Sequence, residues 1–232
     1  MDLDNFIYIF ILLICITILY KYFEKSNYEV LYVKANNGKS YLVRNLPDKQ
    51  QAADTLSSMG DRFNKLIEYL KDKNEQDKFK MWKLYVIKNN DIKATTPNDL
   101  KSNTLKANFT KFSTDINRLI KNYNPDVLSE NTPDSKFTSY SENKGQKLVF
   151  CLRDKATNKL VDLNTMMFVG LHELSHLMTK SIGHTEEFWN NFKIILRISI
   201  RLGLYKCQNF EKESKAYCGT RITDSPLRCG DV

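Results

Sequence analysis

The residues best suited to chemistry in this chain are concentrated in one short segment. All three histidines of the 232-residue sequence, His172, His176 and His184, fall within residues 172–184, and Glu173 directly follows the first of them. Residues four apart on an α-helix lie on one face, so His172 and His176 can aim at a common point. The pattern H-E-x-x-H therefore predicts a zinc site, in which two imidazoles bind one Zn²⁺ ion and Glu173 acts on a bound water as general base.

Two predicted helices, over about residues 162–203, position these side chains. Asp162 is a good N-cap before an apolar run that continues through the first two histidines and ends near Gly183. Thr185 is the expected N-cap of the next helix, which runs to Arg201. A helix that is apolar on most sides is buried, and buried imidazole and carboxylate groups need partners such as a metal ion.

His184 is the expected third ligand, because catalytic zinc takes three protein ligands and keeps one position open. Glu186 and Glu187 follow it in the first turn of the second predicted helix, where acidic side chains also suit the helix dipole. Either carboxylate could replace His184 at the metal, so both remain alternative ligands.

The histidine segment resembles a known group of enzymes. The stretches 172–176 (HELSH) and 183–189 (GHTEEFW) are similar to those of the WLM-type and SprT-like zinc metallopeptidases, in particular those encoded by large DNA viruses. The resemblance covers about residues 140–227 well and residues 28–130 loosely. The interval between the second and third histidines is longer here than is usual in WLM proteins. The resemblance implies a zincin-like metallopeptidase domain that hydrolyses peptide bonds.

The N-terminus carries a second strong pattern. Residues 6–23 are almost continuously apolar, which predicts one transmembrane helix within an N-terminal anchor of residues 1–26. Neither a basic leading region nor a cleavage site accompanies this segment, so a retained anchor is favoured over a signal peptide. Asp2 and Asp4 precede the run, whereas Lys21 and Lys25 follow its core. This asymmetry predicts a single-pass membrane protein whose C-terminal domain faces the cytoplasm or the virion interior.

Charge and cysteine content bear on partners and compartment. The formal net charge is +8, but no nucleic-acid recognition motif is present, so specific nucleic-acid binding is not expected. On the cytoplasmic side the five cysteines would remain reduced, with Cys151 a buried free thiol. A disulfide between Cys207 and Cys218, and glycosylation of the sequon at Asn108, are expected only if the domain faces an oxidising compartment.

The remaining segments predict a single α+β, zincin-like domain over residues 27–232. The elements are a hairpin formed by Tyr28–Val33 and Lys39–Val43, helices over Asp48–Lys73 and Leu105–Tyr123, a loop over 124–143, and a strand over Lys147–Arg153. Residues 81–87 are short, apolar and ambiguous. The last strand either offers an edge to an extended substrate or lies inside the core.

These patterns predict a membrane-anchored zinc metalloendopeptidase that acts on a protein or peptide substrate. Tyr205 or Tyr217 could stabilise the oxyanion of the reaction. Two alternatives stay open: a membrane-tethered zinc-binding protein with a structural metal site, and a DNA-associated protease that acts on trapped proteins. A fourth protein ligand would favour the structural site, because structural zinc is fully coordinated. The sequence does not indicate the oligomeric state.

Overall fold

A computed structural model describes residues 3–27, 30–87, 92–132 and 134–231. It has a mixed α/β fold with six α-helices and seven strands among these residues. The helices are α1 (Leu3–Asn27), α2 (Lys49–Lys71), α3 (Glu75–Trp82), α4 (Asn103–Asn122), α5 (Leu163–Met178) and α6 (Glu186–Arg201). The strands are β1 (Val30–Lys34), β2 (Ser40–Arg44), β3 (Leu128–Glu130), β4 (Tyr140–Glu142), β5 (Lys147–Phe150), β6 (Lys215–Tyr217) and β7 (Thr220–Ile222).

The first five strands form one mixed sheet in the order β1-β2-β3-β5-β4. β1 pairs with β2 in the predicted hairpin, whose turn includes Gly38 at a φ of 81°. β3 is parallel to β2 and β5, and β4 returns antiparallel to β5. A short antiparallel hairpin, β6–β7, forms a separate two-stranded sheet near the C-terminus.

Helices α2, α4 and α5 pack together over the sheet and form the core. The predicted apolar face of α2 is buried, including Phe63, Leu66 and Leu70. α5 approaches α2 closely at Gly170, where a β-carbon would lie 2.3 Å from the ring of Phe63. The helix that carries the first two histidines is therefore fixed by close packing against the most buried part of the fold.

The structure corrects the expected loop over residues 124–143, because this segment contains β3 and β4. Both strands have only three residues, too few for an alternating pattern to stand out in the sequence. Their pairing also corrects the idea that the strand at Lys147–Arg153 offers an edge. β5 lies between β3 and β4, and β4 is the outer strand of the described sheet.

The ambiguous segment over residues 81–87 begins as the end of α3. It continues as one π-helical turn over Lys83–Ile87, which packs against α6. Arg197 of α6 donates a 2.6 Å hydrogen bond to the carbonyl oxygen of Tyr85 in this turn. The contact helps to hold α6 from the side opposite the histidines.

Four of the cysteines are paired, which corrects the expectation of free thiols. Cys151 bonds to Cys218, and Cys207 bonds to Cys229. The conditional pair Cys207–Cys218 is also wrong. Cys151 follows β5, whereas Cys218 lies in the turn between β6 and β7. The first disulfide therefore ties the C-terminal hairpin to the central sheet.

The N-terminal helix α1 stands apart from the core. Its described side chains, residues 7–21, are all exposed, and most are large and apolar. Among the residues that the structure describes, no helix meets the length and apolarity needed to cross a membrane. The predicted transmembrane helix over residues 6–23 is thus not supported, and the side chains of Phe6, Tyr22 and Phe23 lie outside the described part.

Candidate metal centre and active site

α5 places His172 and His176 on one face, one turn apart. The helix begins where predicted, because the Asp162 side chain accepts a 3.0 Å hydrogen bond from the backbone N–H of Thr165. It ends at Met178, earlier than the predicted stop at Gly183. The residues between that end and α6 form a loop that turns back toward the two histidines.

His184 lies in this loop and completes a cluster of three imidazoles. Gly183 before it has a φ of 81°, a backbone conformation that glycine adopts without strain. Thr185 after it caps α6 by accepting from the N–H of Phe188. One ring nitrogen of each histidine lies within 4.8 Å of the others, and the Nε2 atoms of His172 and His184 are 3.0 Å apart.

Aromatic rings of α6 support the imidazoles from behind. Phe188 stacks on His176 at a centroid distance of 4.3 Å and meets His172 edge-on at 4.8 Å. Phe192 contacts His172 at 5.3 Å, and Trp189 lies 5.6 Å from His184. These contacts restrict the orientations of the three imidazole rings.

The donor set fits a zinc ion. Burial, together with the neighbouring imidazoles, lowers the pKa of His172 to about 3 and that of His176 to about 4. Both rings are therefore neutral at pH 7, which is the form that binds metals. Three imidazoles whose nitrogens converge suit zinc, which takes tetrahedral sites rich in histidine.

Glu173 lies beside the cluster and is 4% exposed. Burial raises the pKa of its carboxyl group to about 8, although the backbone N–H of Ser141 donates to it and favours the charged form. A cation held by the adjacent histidines would also favour the carboxylate. This glutamate is therefore a buried group beside the histidines rather than a surface charge.

One cavity of about 650 Å³ contains these groups. Strand β4 and the residues before it line one side, α5 forms the floor, and the β6–β7 hairpin closes an end. Tyr217 of β6 lies in the wall and shares a short hydrogen bond with the hydroxyl of Ser139. Of the two tyrosines considered from the sequence, Tyr217 lines the cavity, whereas Tyr205 packs against Phe168 in the core.

The end of α5 is held by side chains that no pattern in the sequence indicates. Lys144 donates to the carbonyl oxygens of His176, Thr179 and Ser181 at 3.2, 2.7 and 3.1 Å. Arg118 and Asn122 of α4 bind the carbonyls of Met178 and Leu177, respectively. Cationic and amide groups at a helix C-terminus satisfy its free carbonyls. No motif marks these residues, since they reach the site through tertiary packing.

The two glutamates considered as alternative ligands occupy other positions. Glu187 accepts hydrogen bonds from the backbone N–H of Ser181 at 3.1 Å and from the ammonium of Lys111 at 2.9 Å. Glu186 is exposed in the first turn of α6. Within the described residues, the group of side chains that could hold a metal consists of the three histidines.

Comparison with known proteins places this geometry in a family. The model of the WLM domain matches residues 85–229, which include the three histidines, Glu173 and both helices of the site. The chain belongs to the WLM domain family. Membership supports a zinc-dependent, protease-like function for this WLM-domain protein, and it confirms the resemblance seen in the sequence.

The relatives include proteins of large DNA viruses. The WLM-domain chain is 34% identical over 207 residues to "Uncharacterized protein R325" of Acanthamoeba polyphaga mimivirus, covering 88% of each protein. It is 41% identical over 68 residues to "Uncharacterized protein 042R" of Invertebrate iridescent virus 3, covering 29% of this chain and 42% of that protein. The crystal structure of Wss1 from Saccharomyces cerevisiae matches at 20% identity, with a TM-score of 0.32, covering 44% of this chain and 84% of that one.

Proposed function

We propose that this protein is a zinc-dependent metalloendopeptidase, with His172, His176 and His184 as metal ligands and Glu173 as general base. The observation that carries the proposal is the presence of three converging imidazoles and a buried carboxyl group in one open cavity. Three ligands leave a coordination position for water or substrate, as in catalytic zinc sites. Zinc in such a site lowers the pKa of a bound water toward neutrality and polarises the scissile carbonyl.

Glu173 is assigned the two proton transfers of peptide hydrolysis. Its carboxylate accepts a proton from the attacking water and then delivers it to the nitrogen of the leaving amine. The Ser141 N–H orients the carboxylate, and burial keeps its pKa high enough for it to return the proton near neutral pH. A residue poised in this way fits general-base chemistry better than metal binding.

Strand β4 is the proposed docking site for the peptide backbone. It pairs with β5 on one side and lines the cavity on the other. The register opposes Ser141 to Leu148, with the Ser141 N–H directed at Glu173, away from β5. An extended peptide laid along this outer edge would add to the sheet by β-augmentation and would pass over the histidines.

The alternative of a purely structural zinc site receives less support. Structural zinc is usually held by four protein ligands. Within the described residues, no fourth histidine, cysteine, aspartate or glutamate joins the three histidines as a potential ligand. Glu173 is adjacent to the cluster, but its hydrogen bond to Ser141 directs it toward the outer edge of β4.

Cleavage of a peptide by the full-length, zinc-loaded protein tests the proposal. We expect the Glu173→Gln variant to retain one zinc per chain but to lose about 10²-fold or more in kcat, because an amide cannot accept the proton of the water. Glu186→Gln is the matched control, since this exposed glutamate follows the loop that carries His184 but lies outside the cavity. Equal activity of the Glu173 variant and wild type would remove Glu173 from the mechanism. Inactivity of the wild type with zinc bound would favour the structural site.

We also propose that α1 associates with a membrane. Its described side chains are exposed along the whole run 7–21, and large apolar side chains that cover a helix in this way favour a lipid or protein partner. The lysines after the run favour a domain on the cytoplasmic side or in the virion interior. The paired cysteines oppose this orientation, because disulfides persist mainly in oxidising compartments.

Two measurements decide location and orientation. Retention of the full chain in membranes after carbonate washing supports membrane association, and its complete release refutes it. Alkylation of free thiols before isolation, followed by mass spectrometry, then reports the compartment. Unmodified, paired Cys151 and Cys218 with a glycosylated Asn108 would place the domain on the secretory side. Alkylated cysteines would place it on the cytoplasmic side.

A further inference from the structure

The cavity changes character along the axis of α5. At the C-terminal end of the helix, Lys144 lies in the wall, but its ammonium is engaged by three backbone carbonyls. In the other direction, Phe168 and Val169 lie about one turn before His172 and also line the cavity. Both are largely buried, each with 6% of its surface exposed. The wall that continues from the metal ligands toward the start of α5 is therefore apolar.

The β6–β7 hairpin closes this apolar end. Directly opposed residues of an antiparallel pair share a face. The pairs Lys215–Ile222 and Tyr217–Thr220 consequently lie on one face, and the pair Ala216–Arg221 lies on the other. Tyr217 and Ile222 line the cavity, whereas Ala216 is exposed to solvent. The hairpin thus contributes two side chains to the cavity wall, Tyr217 and Ile222, while Ala216 and Arg221 face solvent.

One disulfide and one hydrogen bond fix the hairpin in this position. The disulfide joins Cys218 of its turn to Cys151 after β5. The Tyr217 hydroxyl bonds to Ser139, and the N–H of Cys151 donates a 3.1 Å hydrogen bond to the same serine hydroxyl. Cys218 and Gly219 in the turn have φ angles of 50° and 77°, which match the tight turns that favour two-stranded hairpins. Ile222 is thereby held as a fixed wall rather than on a free tail.

We infer that Phe168, Val169 and Ile222 form a specificity subsite for a large apolar side chain of the substrate, adjacent to the scissile bond. The inference rests on the proposed peptidase function, whose metal ligands and Glu173 lie in the same cavity. An aliphatic or aromatic side chain gains by leaving water for this wall. A charged side chain would lose its hydration without a free partner. The ammonium of Lys144 is already bound at the opposite end, and that of Lys215, on the same hairpin face as Ile222, is paired with Glu213 at 2.6 Å.

Peptides that differ at a single position test the subsite. In an otherwise Ala- and Gly-containing peptide, one position carries Leu or Glu, and mass spectrometry identifies the bond cleaved. We expect the full-length, zinc-loaded protein to cleave next to Leu, with kcat/KM about 10-fold or more above that for the Glu peptide. Equal rates for the two peptides, or cleavage that ignores the position of Leu, would overturn the inference.

Variants of the hairpin identify the residue responsible. Ile222→Lys places a cation in the wall, and we expect the ratio of Leu to Glu cleavage to fall by about 10-fold. Ala216→Lys adds the same charge to the exposed face of the same hairpin and should leave the ratio unchanged. Ile222→Thr keeps the branched shape if the lysine variant misfolds, and it should lower the ratio by about 3-fold. An unchanged ratio in a folded Ile222 variant, or an equal change in Ala216→Lys, contradicts the subsite.

A binding measurement separates this inference from the peptidase proposal. Calorimetry compares acetohydroxamate with a hydroxamate that bears an isobutyl side chain, using zinc-loaded wild type and Ile222→Lys. We expect the isobutyl compound to bind about 10-fold more tightly to wild type, with most of this advantage lost in the variant. If no peptide is cleaved but this difference is found, the peptidase proposal fails and the subsite stands. If both hydroxamates bind equally to an enzyme that cleaves peptides, the subsite fails and the peptidase proposal stands.

Discussion

The α5–α6 helix pair and the β6–β7 hairpin both line the cavity, but they reach it in different ways. The helix pair brings its functional side chains from within residues 172–184, joined by one short loop. The hairpin is held at the cavity by a disulfide between cysteines 67 residues apart and by a tyrosine–serine hydrogen bond of similar sequence separation. The helix pair is specified locally, whereas the hairpin is placed by the tertiary fold. Loss of the hairpin contacts should therefore leave zinc binding intact but weaken the preference for Leu over Glu peptides.

Removal of a metal ligand should give the largest effect. His172→Ala and His176→Ala each leave two imidazoles, and we expect both variants to lose their zinc on dialysis, as measured by elemental analysis. Tyr217→Phe on the hairpin is the control, because it keeps the ring but removes the hydroxyl, and it should retain one zinc per chain. Full zinc in both histidine variants would show that the metal lies elsewhere.

Removal of the hairpin disulfide should have the next largest effect. For Cys218→Ser we expect the free energy of unfolding to fall by about 2–4 kcal/mol, because the bond closes a long loop of the unfolded chain. Zinc should remain bound, while the preference for Leu peptides weakens as the Ile222 wall is released. Cys229→Ser is the comparison variant, because it removes the other disulfide, which closes the shorter loop between residues 207 and 229. Loss of zinc in Cys218→Ser would make the metal centre depend on the hairpin.

The next prediction concerns the close packing of α5 against α2. Gly170→Ala should lower the free energy of unfolding by about 1–3 kcal/mol, because the added methyl group meets the buried ring of Phe63. Denaturant unfolding measures the change. Gly60→Ala in α2 is the matched control, since the nearest side-chain atoms lie at 3.6 and 3.7 Å, and alanine should stabilise that helix by about 0.5–1 kcal/mol. Equal destabilisation of the two variants would refute the close approach.

The smallest expected effect is a pH-dependent change in the free energy of unfolding. It arises from Glu187, whose carboxyl group binds the loop between α5 and α6 at Ser181. Burial opposes ionisation of Glu187, but the hydrogen bonds from Lys111 and Ser181 outweigh it and lower the pKa of its carboxyl group to about 2, from an ordinary 4.5. Its stabilising contribution is therefore fully present above about pH 4.5 and is lost as the pH falls toward 2. The difference in unfolding free energy between wild type and Glu187→Gln should shrink over that interval. Glu186→Gln is the exposed control and should show no such dependence on pH. A similar pH-dependent difference in this variant would contradict the assignment of the effect to Glu187.

The sequence predicted the convergence of the three histidines well because its determinants are local. Asp162 and Thr185 cap the two helices as expected, and the spacing of His172 and His176 alone puts both on one face. His184 could be proposed from proximity, but its choice over Glu187 required the loop geometry. In the structure, Lys111 and the N–H of Ser181 donate hydrogen bonds to the Glu187 carboxylate.

The long-range features could not be predicted in the same way. β3 and β4 have three residues each, and their pairing depends on β5 rather than on a pattern of their own. Cysteine content cannot fix connectivity, so the pairing of Cys151 with Cys218 was missed. Lys144 reaches the end of α5 from a turn 32 residues before His176, and its sequence context resembles any polar loop. These contacts depend on how the elements pack.

X-ray absorption at the zinc edge of the full-length protein tests the metal centre most directly. We expect a first shell of three imidazole nitrogens at about 2.0–2.1 Å with one further light-atom ligand from solvent, and we expect the number of imidazoles to fall by one in His184→Ala. A sulfur ligand at about 2.3 Å, or an unchanged imidazole count in His184→Ala, would contradict the assignment of His172, His176 and His184 to a catalytic zinc site.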